Sequence, residues 1–197
     1  MAYWQFERFL LAVGRRPAPR MDRNQLRLVE CDPTYASAWH SWRQQPLALS
    51  FMPLKTDPID VLAGRIRKSS SDLANRSAER YMWFIEAQGA IVGMIGLHSV
   101  DWKGGSAEIT YIVDPNCHGR GIATLALTEM IVKTFQETTL NRLVAIVSRG
   151  NIASERLLAK LHFSGRGFLS EGYLIQGESI DQQSFELLRN EWSQNIH

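Results

Sequence analysis

The residues best placed to do chemistry form one turn, Asp114-Pro115-Asn116-Cys117-His118-Gly119-Arg120-Gly121-Ile122-Ala123-Thr124. Its glycines let the main chain come close to a ligand, and the apolar periodicity that follows makes the turn the start of a helix. The first N–H groups of a helix have no intrahelical acceptor, and the helix dipole adds its positive end to them. Together they can hold a phosphate. A glycine corner without any ligand is the plainer account of the turn taken alone. The run lacks the Lys-Ser/Thr pair that completes a P-loop, which weakens a nucleotide binder as an alternative. Cys117 and His118 are adjacent on a turn and so point apart. No Ser-His-Asp or Cys-His set at convincing spacing argues for a covalent step.

The neighbouring elements must position this turn. Before it, Ala107-Glu108-Ile109-Thr110-Tyr111-Ile112-Val113 is β-branched and aromatic. Strand alternation puts Glu108, Thr110 and Ile112 on one face and Ala107, Ile109, Tyr111 and Val113 on the other. After it, Ala123, Leu127, Met130, Ile131 and Phe135 recur at helical spacing, with Glu129 and Lys133 as an i, i+4 pair on the exposed side. A buried strand over 141–147 follows, then a helix over 151–163 capped by Asn151. Upstream, residues 25–30 alternate as a strand, and Asp32-Pro33 opens a helix to about residue 44. A loop carries Pro46 and Pro53, and Asp57-Pro58 opens a helix to about residue 68. Residues 69–80 are polar and expected to be mobile. Strands over 81–87 and 90–100 join at Gln88-Gly89, a hairpin signal. Two more, near 168–175 and 179–188, join at Gln176-Gly177.

Composition fits a compact domain. The chain has 197 residues, 45% of them hydrophobic, enough for one substantial core over 24–197. No apolar run approaches the roughly 18 residues of a membrane span. Cys31 and Cys117 form no metal or disulfide pattern, which suits a reducing compartment, so a cytoplasmic location is expected. The formal net charge is +2, and residues 1–23 hold five arginines against Glu7 and Asp22. Everything after them is therefore slightly acidic, which argues against a nucleic-acid surface on the domain. Residues 1–23 read as an extension, either a short amphipathic helix or sequence upstream of a start at Met21.

Taken in order, these motifs resemble the GNAT superfamily of N-acetyltransferases, and within it the branch that acetylates the N-terminal amine of ribosomal proteins. The resemblance rests on His118-Gly119-Arg120-Gly121-Ile122-Ala123, where the family has Gln or Arg followed by Gly-x-Gly-x-Gly/Ala. It rests also on Asn151 three residues before Ser154, on Leu161-His162-Phe163 where Leu-Gly-Phe is usual, and on Phe185-Glu186-Leu187-Leu188-Arg189-Asn190-Glu191-Trp192. It covers roughly residues 25–192. His162 stands where a glycine commonly ends the helix in a left-handed conformation.

The resemblance implies an α/β (α+β) fold, a central twisted mixed sheet of about seven strands flanked by helices, splayed beside the strand that holds Glu108. It implies acetyl-CoA as co-substrate, with its pyrophosphate on His118, Gly119, Arg120, Gly121, Ala123 and Thr124. Main-chain groups near Ile112 and Val113 would bind the pantetheine amides, and Asn151 the pantetheine arm. Glu108 would take a proton from the amine, directly or through water. Many members carry a Tyr seven residues after the Asn as the acid for the leaving thiolate. That position is Leu158 here, and the hydroxyl of Ser154 is the substitute the branch suggests. The acceptor implied is a primary amine, foremost a protein or peptide N-terminus. A small-molecule amine such as an aminoglycoside, polyamine or amino sugar, and a non-catalytic acyl-CoA-binding module, stay open, as does a homodimer.

Overall fold

The computed structural model describes residues 20–52, 57–175 and 177–195. In chain order its strands are β1 (Leu26–Glu30), β2 (Tyr81–Ala87), β3 (Ala90–Asp101), β4 (Ser106–Val113), β5 (Arg142–Ser148), β6 (Ser164–Ile175) and β7 (Glu178–Leu188). The helices are α1 (Ala36–Arg43), α2 (Pro46–Phe51), α3 (Ile59–Arg67), α4 (Ile122–Glu137), α5 (Ile152–Lys160) and α6 (Arg189–Asn195). The strands form one sheet in the order β1-β2-β3-β4-β5-β7-β6. Only β4 and β5 run parallel, and α4 supplies the crossover that a parallel pair requires. This is the expected mixed sheet of about seven strands flanked by helices. The proposed helix within residues 1–13 and the Gln176 corner lie outside the described residues.

Both faces of the sheet are covered, which is why β2 reads as an unbroken apolar run rather than alternating. Tyr81, Trp83 and Ile85 pack in one cluster with Leu127, Met130 and Ile131 of α4. Met82 and Phe84 pack in the other with Trp39 and Trp42 of α1 and Leu62 and Ile66 of α3. Each such side chain stabilises the fold by roughly 1.5–3 kcal/mol on burial. The β2–β3 corner has positive φ at both Gln88 (53°) and Gly89 (79°), the two-residue hairpin the dipeptide predicts.

Several expectations need correction. The stretch through Pro46 is a helix, α2, because proline is compatible with the first helical position, where its missing N–H has no partner to lose. Residues 69–80 are tied down. Leu73 is fully buried, the Tyr81 hydroxyl donates to the Asn75 carbonyl, and the Trp83 indole N–H donates to the Ser71 carbonyl at 3.0 Å. Lys133 pairs with Glu137 at 2.7 Å rather than with Glu129. His162 does take the left-handed conformation, at φ 64°. Beyond the last predicted strand, α6 begins with Arg189, whose guanidinium donates to the carbonyls of Phe135 in the last turn of α4 and of Thr138 and Leu140 just past it.

Candidate active site

β4 and β5 pair through Ser106 with Arg142, Ala107 with Leu143 and Glu108 with Val144, and their register stops there. β5 instead keeps its pairing with β7 along its whole length. Beyond that rung, a cavity of about 520 Å³ lies against β4 and the start of α5. Tyr111, Ile112 and Val113 wall it on one side, Asn151 and Ser154 of the α5 start on another, and the turn at its mouth. Leu47, Ala48 and Phe51 of α2 add an apolar wall that the sequence reading did not find. Main-chain direction decides what β4 offers this cavity. The Asp114 N–H donates to Val92, and the Ile112 carbonyl is turned toward Gly93, where a Cβ would sit only 2.7 Å away. Ile112 is thus committed to β3 and lends the cavity its flank. By alternation, Tyr111 and Val113 present their N–H and C=O groups to the side away from β3.

The turn has the geometry of an anion holder. Gly121 is the first cap of α4 at φ 82°, with no side-chain cap, and Gly119 has φ 74°. The first intrahelical bond runs from the Leu125 N–H to the Gly121 carbonyl, which leaves the N–H groups of Ile122, Ala123 and Thr124 without intrahelical acceptors. Arg120 donates to the Gln88 amide oxygen at 3.2 Å, while its Nε is buried with no partner among the described residues. His118 turns inward, its Nε2 donating to the Val113 carbonyl at 3.0 Å. It braces the turn against β4. Burial and the nearby Asp114 push the Cys117 thiol up, away from thiolate chemistry.

At the inner end, the Asn151 side chain caps α5 by accepting from the Ser154 N–H at 3.2 Å. Burial pushes the Tyr111 phenol up to about 12, and the neighbouring Ser154 side chain opposes the shift. Leu158 is fully buried in the core. A phenol therefore stands at the cleft after all, carried by β4 rather than α5. Alternation had placed Tyr111 on the face opposite Glu108, and only its polar tip betrays a second use.

Glu108 does not line this cavity. It occupies the last paired rung before the strands part, opposite His98 of β3, with His98 Nε2 3.5 Å from Glu108 Oε1. Burial raises the Glu108 carboxyl, partly opposed by the charge of Arg80. Burial also lowers His98, and Arg80 lowers it further. Both groups are thus biased toward their neutral forms, which strengthens Glu108 as a base. Beside them lies a second cavity of about 250 Å³. His98 and Arg80 were not singled out from the sequence; a histidine in an otherwise apolar strand was the available signal.

A family model described as the acetyltransferase (GNAT) domain matches residues 25–164. The chain belongs to the GNAT acetyltransferase family. It is similar to a putative ribosomal N-acetyltransferase, YdaF, of Bacillus subtilis, 33% identical over 53% of this chain and 57% of that protein. It is similar also to spermidine N(1)-acetyltransferase of Escherichia coli, 26% identical over 85% of this chain and 81% of that one. Among solved structures, Mycobacterium smegmatis RimJ in complex with CoA-disulfide superposes with a TM-score of 0.71 at 25% identity, over 84% of this chain and 82% of that one. The chain matches 57–65% of the length of the first curated relatives. Among the described residues, no helix is long and apolar enough to cross a membrane.

Proposed function

We propose that residues 24–197 form one acetyltransferase domain that passes the acetyl group of acetyl-CoA directly to a primary amine, foremost a protein or peptide N-terminus. One observation carries this reading: one cavity joins the free N–H groups of the turn to Tyr111–Val113 of β4, beyond its last rung with β5, and to Asn151 and Ser154 of α5. The turn then holds the pyrophosphate through its main chain, with Arg120 and Thr124 at the rim. The main chains of Tyr111 and Val113 bind the pantetheine amides, and Asn151 has its amide N–H₂ left to meet the arm. Glu108 faces the thioester from the other face of the sheet.

Magnitudes assign the protons. An α-amine titrates at about 7.7 to 8.0, so near neutral pH a sizeable minority is already nucleophilic, against about a thousandth of a lysine at 10.4. A weak base suffices, and Glu108, raised by burial, fits. On the other side, a thiol titrates near 8.5 and Tyr111 at about 12, so full transfer from the phenol to the thiolate runs uphill by about 5 kcal/mol. Tyr111 and Ser154 therefore stabilise the leaving thiolate as hydrogen-bond donors rather than surrendering a proton.

A screen of peptides, spermidine, aminoglycosides and amino sugars, read as thiol release from acetyl-CoA, tests the reading. Peptides acetylated at the N-terminus support it. Tight acetyl-CoA binding without release on any amine would favour a non-catalytic module. A polyamine acceptor is the second reading, favoured by the relative that covers 85% of this chain.

A further inference from the structure

The second cavity bears on which amine is accepted. Its walls come from three places in the chain: Arg65 and Lys68 at the end of α3, Arg80 just before β2, and His98 of β3. The His98 ring lies between this cavity and Glu108. Arg80 is the unusual member. It is half-buried, its side chain makes no hydrogen bond or ion pair with the described residues, and its charge is felt by both His98 and Glu108. Burial pulls its guanidinium below the usual value, with Arg65 adding to the effect. Glu108 and Glu79 oppose that shift from a distance, but neither pairs with the guanidinium, and a bidentate anion is the partner its planar fork fits.

The surrounding charges favour an anion further. Arg65 shares Asp57 with Arg43, so that carboxylate is already divided between two cations. Glu79 sits exposed at the cavity's edge, and Glu108 is engaged at its inner end. Against these, Arg65, Lys68 and Arg80 present three cationic heads to one small space. A polyamine, cationic along its whole length, would meet like charge here.

Resting on the peptide-acetyltransferase reading above, we propose that this cavity is the acceptor's side-chain site and selects an anionic group. The preferred acceptor is then a peptide amine followed within two residues by Asp or Glu. With the α-amine at Glu108, the side chains of the next residues would lie toward the cavity that His98 also lines.

Binding tests this independently of turnover. The CoA-loaded enzyme is titrated by calorimetry with three hexapeptide amides, identical except for Asp-Glu, Asn-Gln or Lys-Lys at positions two and three, and with spermidine. The acidic peptide is expected to bind about tenfold tighter than the neutral one, with the Lys-Lys peptide and spermidine weaker than both. Arg80→Gln should bring the acidic peptide down to the neutral one's affinity, and Arg80→Lys should keep part of the preference. Thermal melts establish that each variant is folded. Equal affinities, tighter binding of spermidine, a preference that survives Arg80→Gln, or no peptide binding at all would each overturn the assignment. Acetyl transfer to the same peptides reports separately on the enzymatic reading: product without acidic preference sinks only the pocket, and preference without product sinks only the enzyme.

Discussion

Ser154 and Tyr111 line the same cavity and interact there, so the effects of removing them should not add. Ser154→Ala is expected to lower kcat about 10²-fold, and Tyr111→Phe about tenfold, each with acetyl-CoA affinity nearly unchanged. The double variant should be no more than a few-fold slower than Ser154→Ala. Fully multiplicative losses in single-turnover rates would show that the two act separately. Glu108 carries a different signature. Glu108→Gln should slow turnover mainly below about pH 8, with the loss shrinking as the α-amine deprotonates unaided. A constant factor up to pH 9.5 would reduce Glu108 to a binding residue. The same carboxyl also affects stability. Its folded-state pKa is raised, so its favourable contribution is present below the unfolded value and lost as pH rises through the folded one. Glu108→Gln should therefore raise the melting temperature near pH 7, and the gain should disappear in acid below about pH 4.

At the scale of elements, the proposed function makes the glycine turn and the strand beside it the determinants of cofactor binding. A Cβ at Gly121 would meet nothing within 4 Å, so the space above it is open, yet φ 82° makes any side chain strained. Gly121→Ala and Gly121→Val should both lose about 1–2 kcal/mol of stability from the left-handed conformation. Only valine reaches far into the pyrophosphate's path, so acetyl-CoA affinity should fall tenfold or more for Val and much less for Ala. Equal affinities in the two folded variants, by calorimetry, would move the phosphate elsewhere. This turn was legible in the sequence because glycine, helix start and strand are local signals. Leu158 in place of the usual acid was legible for the same reason. The α2 wall was not, because Pro46 reads as a breaker until its place at a helix start is known. Nor was the cavity of Arg65, Arg80 and His98, whose members come together only through the pairing of β3 with its neighbours. Tyr111 lay on the face opposite Glu108, and no local signal says that a strand phenol lines a cleft.

At the scale of the whole molecule, two cavities flank β4. The large one runs from the turn to Tyr111, beyond the last rung with β5, and Glu108 at that rung meets His98, which lines the second. On the proposed function acetyl-CoA and amine are bound together, and Cys117, which lines the large cavity, is pushed away from its thiolate rather than poised to carry the acetyl group. Direct transfer in a ternary complex is the central claim. Its most direct test is an initial-rate matrix over acetyl-CoA and an acidic-second-residue peptide, with the acetylated N-terminus identified by mass spectrometry. Intersecting reciprocal plots, with product only when both substrates are present, are predicted. Parallel plots, or an acetylated enzyme isolated in the absence of amine, would contradict the account.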